Sequence, residues 1–268
     1  MIKKIIFIIV IIAVGLGLYG KYVEVNNLKV KEYTINNSKL PDEFKELTIV
    51  HFSDILYQNE ENRLEDLITN INLQNPDIVV FTGDLFHSKQ DYNKATLNYL
   101  KDNFEKIDAS LFKFAIIGDN DKKFIDEYKD LLYDSDFILL DNENKYVFYK
   151  DNTPINIIGL NDVNKFSEIE MDDIECAHTI LLTHEPDNFS TLKEYNIDTI
   201  LAGHSLGGTI NLPFYGGLIK KDGANTYIND YYNSNGKEMF ISNGIGFEKY
   251  KFRLFNAPSI NVYRFTNN

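Results

Sequence analysis

The sequence predicts an α/β layered domain preceded by one apolar N-terminal helix. Three observations point there. From Leu47 to Ala202, apolar runs of strand length alternate with amphipathic runs of helical length. The strand runs are apolar throughout, as in sheets covered on both faces. The remainder is rich in turns and β-type runs. Hydrophobic residues make up 44% and charged residues 25% of the 268 positions, an ordinary globular composition. No internal repeat and no Gly/Ser- or Pro-rich linker divides the chain, so it reads as one domain.

The elements follow in order. Met1-Ile2-Lys3-Lys4 leads into an uncharged run from Ile5 to Gly20, closed by Lys21. A helix over that run spans about 24 Å, slightly short of the ~30 Å hydrocarbon core, a gap that local thinning and lysine snorkelling absorb. The run is apolar on every face and is taken as an uncleaved membrane anchor rather than a core helix. A cleaved signal peptide looks similar, but Gly15-Leu16-Gly17 is a weak cleavage site and no lipobox cysteine follows. The lysine pair ahead of the run sets the N-terminus in the cytoplasm and the domain outside, a single-pass protein of the cell membrane. Residues 1–21 are then the anchor, 22–46 a linker with an edge strand over 29–35, and 47–268 the domain.

Residues 47–52 read as a buried strand. Over 60–72, Leu64, Leu67, Ile68 and Ile71 recur at helical spacing, and Asn75-Pro76 stops that helix. A second strand covers 77–82, a helix 94–107, a third strand 111–117 and a helix 122–132. Three short strands follow at 136–140, 145–149 and 155–160. Strands at 179–183 and 198–202 flank a helix at 188–195. The β-rich tail covers 208–219, 238–242 and 259–265.

Charge and cysteine content exclude several function classes. Lys plus Arg is 27 against 40 for Asp plus Glu, a net charge of −13. That balance argues against nucleic acid as a partner and against flat docking on anionic lipid, leaving the N-terminal helix as the membrane contact. The single cysteine, Cys176, permits no intrachain disulfide and no cysteine-rich zinc site. With five histidines in the chain, a metal site has to lean on carboxylates.

Ligands of such sheets sit at the carboxyl ends of the strands. Those ends read Ser53-Asp54-Ile55-Leu56, Gly83-Asp84-Leu85, Gly118-Asp119-Asn120-Asp121, His184-Glu185-Pro186 and Gly203-His204-Ser205-Leu206. Four of the five have an ordinary structural explanation. Asp54, Asp84 and Asp119 suit helix caps, and His184 suits a satisfied core histidine. His204, in its glycine-rich turn, is harder to explain by packing. Five such ends in succession point to one convergent site, with glycine letting the backbone turn so that the next side chain projects over the sheet edge. Carboxylates and imidazoles gathered at one point call for a cation. His51, His87 and His178 fall outside this pattern and read as structural or surface residues.

This series resembles the calcineurin-like metallophosphoesterase family, whose blocks are D-x-H, G-D, G-N-H-D, H and G-H-x-H. Residues 207–213, Gly-Gly-Thr-Ile-Asn-Leu-Pro, are similar to the GGQ-x-x-LP stretch of its membrane-associated branch. Residues 242–246 with Arg253 and Pro258 are similar to that branch's C-terminal block. The resemblance implies a four-layer α/β/β/α sandwich and a two-metal site, often Mn, Fe or Zn, that hydrolyses phosphoesters.

The chain departs from the family at one of the two metals. The aspartate shared by both metals corresponds to Asp84. One site adds positions that are here Asp119, in place of asparagine, His184 and His204. The other adds Asp54, Leu56 and Leu206, so both of its histidines have become leucine. Leucine has no lone pair to offer. The expectation is therefore one divalent ion, Mn, Fe or Zn rather than Mg, held by Asp84, Asp119, His184 and His204. The family's phosphate-contacting histidine is Asn120, which remains able to donate to a phosphate oxygen, and Asp54 remains as a general base. The expected function is a membrane-anchored phosphoester hydrolase acting on a phosphorylated small molecule or lipid-like substrate. The alternative is a catalytically impaired binding protein on the same fold.

Overall fold

The computed structural model describes residues 1–38, 40–149 and 153–267. Helix α1 (Ile2–Leu18) buries no residue and continues through a π turn (Tyr19–Val23) and a 3-10 turn (Glu24–Asn26). The resulting stretch, Ile2–Asn26, has a mean hydropathy of 2.3 and is the one helix among the described residues long and apolar enough to cross a membrane. It runs past the expected end at Gly20 because its last turns lean on the domain, where Gly20, Glu24 and Val25 are buried. The added turns carry Lys21 and Glu24 and belong to the domain's surface, so the uncharged part of the helix keeps its length of about 24 Å.

After it come β1 (Lys29–Asn36), β2 (Thr48–Phe52), α2 (Glu61–Asn72), β3 (Ile78–Phe81), α3 (Lys94–Phe104), β4 (Phe112–Ala115), α4 (Ile125–Asp134) and β5 (Phe137–Leu139). Then follow β6 (Glu143–Val147), β7 (Ile155–Leu160), β8 (His178–Thr183), α5 (Phe189–Leu192) and β9 (Thr199–Ala202). The chain closes with the two-residue strands β10 (Asn211–Leu212) and β11 (Gly216–Gly217), then β12 (Tyr231–Ser234), β13 (Lys237–Ile241) and β14 (Ser259–Thr266). One six-stranded sheet has the order β1-β14-β2-β3-β4-β5, and the other β12-β13-β9-β8-β7-β6. Strands β2, β3 and β4 run parallel, as do β7, β8 and β9.

Side-chain alternation builds the layers. In the first sheet Val50, Phe52, Val79 and Phe81 face α2–α4, where they meet Leu64, Leu67, Leu100 and Phe104. Their neighbours Ile49, Ile78 and Val80 point the other way, into a core shared with Ile155, Ile157, Ile180, Leu182 and Leu201 of the second sheet. The outer face of the second sheet buries Leu181, Ile200 and Met239 against Phe166, Phe189 and Leu192. The result is the layered α/β sandwich that the resemblance implied.

Three elements differ from expectation. The helix over 188–195 shrinks to α5 plus flanking turns, because Ser190 and Thr191 compete for backbone groups and a run this short gains little from helix propagation. The segment 208–219 holds only the small β10–β11 hairpin. Strand β12, polar and partly exposed, has no apolar run to announce it.

His51 and His178 are buried neutral. His51 lies between the Tyr263 and Thr82 hydroxyls, and His178 bonds Asn37 and Thr199. Burial pushes His51 down to about 3 and His178 down to about 4. An unfolded histidine titrates near 6.5, so below about pH 6.5 the unfolded chain takes up protons that the fold refuses. Stability present above that pH is therefore lost as pH falls, by up to about 1.4 kcal/mol per pH unit for each histidine. Urea midpoints in detergent should drop between pH 6 and pH 5, and His178→Gln should flatten the slope; an unchanged slope would refute the assignment.

Candidate metal centre

The five polar strand ends converge at the edge where the two sheets meet. Asp54 follows β2, Asp84 β3, Asp119 β4, His184 β8 and His204 β9. The turns are sharper than glycine alone explains. Asp54 (φ 51°), Asp84 (φ 62°) and His204 (φ 63°) themselves adopt left-handed backbone, a conformation that costs about 1–3 kcal/mol and clusters at functional sites. Gly118 serves by its smallness instead: a Cβ there would lie 2.2 Å from the Asp84 nitrogen and 2.3 Å from its Oδ1.

Asp84, His184 and His204 form the tightest group. All three are buried, and their ligand atoms lie within 4.8 Å of one another. His184 Nε2 is 3.3 Å from Asp84 Oδ2 and 3.1 Å from His204 Nδ1. Backbone carbonyls orient both rings. His184 Nδ1 donates to Thr82 O at 2.7 Å, and His204 Nε2 donates to Asp222 O at 2.7 Å. With those nitrogens protonated, the neutral tautomers direct the Nε2 lone pair of His184 and the Nδ1 lone pair of His204 at each other and at the Asp84 carboxylate. Three lone-pair donors facing one point fit a cation, and carbonyl-anchored imidazoles are the usual second layer of a metal site. Without a metal, a proton fills the role. Burial depresses His184, but the adjacent Asp84 carboxylate outweighs burial and pushes it up to about 10. His204 is held below its usual range by burial and by the neighbouring His184 and Lys221 charges, which keeps its ring neutral.

Asp119 stands at the side of this group. Its Oδ2 is 3.7 Å from His204 Nδ1, while Oδ1 accepts from Lys122 Nζ at 2.7 Å. Burial works against its ionisation, yet the Lys122 contact and His184 leave it lower than an ordinary carboxyl. Asn120 grips Asp84: its backbone N–H donates to Oδ1 at 2.8 Å and its amide to Oδ2 at 2.6 Å, while its own Oδ1 accepts from Ser88 N. Asp54 Oδ2 accepts from Ser53 Oγ and from the His204 N–H, but its buried Oδ1 has no hydrogen-bond partner. Leu56 and Leu206 are both buried. Leu206 and Asp54 flank Gly244, and Leu56 lies against Gly246, so aliphatic carbon fills this side of the site.

Two residues at the site carry roles absent from the expectation. The Asp121 carboxylate accepts backbone N–H bonds from Asp84, Leu85, Phe86 and Gly118, which fixes the loop that presents Asp84. Burial and the Asp84 charge hold Asp121 above the ordinary carboxyl range. Arg253, fully buried, donates to the carbonyls of Leu206, Asn243 and Gly246. The signal for Asp121 was its place at the end of the Gly118–Asp121 block. A cleft of about 260 Å³ opens beside the cluster, lined by Asp119, Lys122, Thr183, His184, Glu185 and Asn188. A larger cavity of about 610 Å³ lies elsewhere, beside Val25, Asn59 and Arg63, and contains none of the converging residues.

Paired sheets carrying a carboxylate–imidazole cluster at their common edge define a metallohydrolase-type centre. The chain belongs to the calcineurin-like phosphoesterase family, whose model matches residues 47–208. It is 30% identical over 256 residues to YkuE of Bacillus subtilis, described as an uncharacterized metallophosphoesterase, covering 91% of this chain and 88% of that one. YkoQ of the same organism, described likewise, is 27% identical over 258 residues, covering 92% and 94%. LpxG of Chlamydia muridarum, a UDP-2,3-diacylglucosamine pyrophosphatase, is 24% identical over 323 residues, covering 92% of each chain.

Proposed function

We propose that this chain is a membrane-anchored phosphoester hydrolase working with one divalent metal ion. The carrying observation is the convergence of Asp84 Oδ2, His184 Nε2 and His204 Nδ1 with both rings fixed by carbonyls. Asp119 completes the set as the fourth ligand, by releasing Lys122. Two imidazoles and two carboxylates suit Mn, Fe or Zn better than Mg. When bound, the metal supplies Lewis-acid polarisation of a phosphoryl oxygen.

The chain's own residues divide the remaining work. Asn120 holds Asp84 and keeps one amide N–H for a phosphate oxygen. Asp54 is kept as the general base of this reading, and its buried Oδ1, which has no donor, supports that role. Lys122 borders the cleft and balances anionic charge there. The span Ile2–Asn26 supports single-pass anchoring, with Lys3 and Lys4 on the cytoplasmic side and the domain outside. The relationship to LpxG supports a phosphorylated, lipid-like substrate. Metal analysis of the purified full chain should give one tightly bound ion per chain, and two would refute the reading of Leu56 and Leu206.

A second reading, a non-catalytic binding protein, is favoured by those buried leucines at former ligand positions. Assays with aryl phosphomonoesters and diesters in Mn, Zn and Mg separate the two. Turnover that appears only after Leu56→His with Leu206→His would favour the second reading.

A further inference from the structure

We propose that the β10–β11 hairpin and the loop beside Arg253 form a second membrane contact, an aromatic surface that dips into the interface of the bilayer spanned by α1. This rests on the anchoring reading above. The helix end is locked to that loop. The Gly20 carbonyl accepts from Arg253 N, and the buried Glu24 carboxylate accepts from Phe255 N and Asn256 N. The approach is so close that a Cβ on Gly20 would lie 2.6 Å from the Arg253 carbonyl oxygen. The same loop carries the hairpin: Ile210 bridges Leu254, Asn211 N donates to Leu254 O, and Leu254 N donates to Thr209 O. Phe214 is three residues beyond Asn211, so the tip lies at most about 10 Å from that pairing.

The tip is built as an interface wedge. Phe214 is fully exposed (110%) and Tyr215 nearly so (78%). Phe214 adopts φ 68°, a left-handed conformation uncommon for a bulky residue, which is retained where the surroundings or a function require it. Leu218, Ile219 and Tyr250 add exposed apolar surface, and Tyr19 and Tyr22 of the helix end are exposed as well. Tyrosine and its aromatic neighbours favour the headgroup level. Lys221 and Lys251 beside this surface are paired with Glu248 and Glu60, and the chain's net charge is −13, so apolar insertion rather than attraction to anionic lipid drives the contact. The hairpin follows directly from the His204 loop, so docking holds the candidate metal centre against the headgroup layer.

The chain has no tryptophan, which allows single-probe tests on the full-length protein in vesicles of neutral phosphatidylcholine. Phe214→Trp reports on the tip and Phe7→Trp on the span. Tyr133→Trp reports on the far edge, because α4 starts beside Asp121 and runs away from the site over about 15 Å. With acyl-brominated phosphatidylcholine, Phe214→Trp and Phe7→Trp should each lose at least about half of their emission, while Tyr133→Trp keeps its own. The result should persist in high salt. Quenching of Phe7→Trp without quenching of Phe214→Trp overturns the docking surface and leaves the anchor intact. No quenching at Phe7→Trp overturns the anchoring reading itself. A blue-shifted Phe214→Trp emission that brominated lipid does not quench means that a second copy or another protein covers the tip, which also overturns the proposal.

Discussion

His184→Ala is expected to lower divalent-metal affinity at least a hundredfold and, on the proposed hydrolase reading, to abolish turnover with it. The ring supplies the central donor of the cluster, 3.3 Å from Asp84 Oδ2 and 3.1 Å from His204 Nδ1. Loss of an outer partner of a metal ligand already costs about 10- to 100-fold, and loss of a ligand costs no less. The effect is legible in stability. A metal at a hundred times its Kd stabilises the native chain by about 2.7 kcal/mol; after a hundredfold loss of affinity the same concentration gives about 0.4 kcal/mol. In a chain of this size that is a melting shift of roughly 5–11 °C falling to about 1–2 °C. Asp119→Asn should do far less to binding, because it retains a carbonyl oxygen donor and Asp119 is already shared with Lys122. Calorimetric titration with Mn and Zn and thermal melts with and without metal measure both variants. A full metal-induced melting shift in His184→Ala would remove this cluster from consideration.

The carboxyl-edge positions were legible because they rest on two local signals, an apolar run followed by a turn with a polar residue. That was enough to bring Asp54, Asp84, Asp119, His184 and His204 to one edge. The acceptors that orient the rings are not legible. Thr82 and Asp222 act through backbone carbonyls, which leave no trace in side-chain identity. Likewise, the left-handed turns sit on Asp54, Asp84 and His204 themselves, so glycine marks the neighbourhood but not the strained residues. Asn120 reads as a phosphate donor when only its motif position is known; in the folded chain its amide already holds Asp84, which makes positioning its first task. Strand β12 escapes notice for a different reason. Its stability comes from pairing with β13, which local propensity does not encode.

Arg253→Met should destabilise the protein by about 3 kcal/mol and disorganise the site although Arg253 touches none of the converging donors. Its guanidinium is fully buried and makes three charge-assisted bonds, to Leu206 O, Asn243 O and Gly246 O. Such bonds contribute about 1.5–3 kcal/mol each, and the substitution leaves the Asn243 and Gly246 carbonyls without this donor, while Leu206 O keeps Asn256 Nδ2 and Thr209 N. Burial opposes the charge and pushes the group down to about 10, so removing it recovers part of the loss. The net figure corresponds to a melting drop of roughly 6–12 °C. The damage should reach catalysis through one route. Ile245 N and Gly246 N donate to the Asp54 carbonyl, and Gly244 packs against its side chain, so loosening the 243–246 loop frees Asp54 from its left-handed turn. Arg253→Lys should recover little of either property, because one ammonium on a flexible stem cannot reproduce a planar fork bonded to three carbonyls. Thermal melts report the stability loss. The metal-induced melting shift, measured on each variant relative to its own metal-free form, reports the site. If Arg253→Met melts within about 2 °C of the native chain, the Asn243 and Gly246 carbonyls have found other donors and the bracing role assigned to this arginine is wrong.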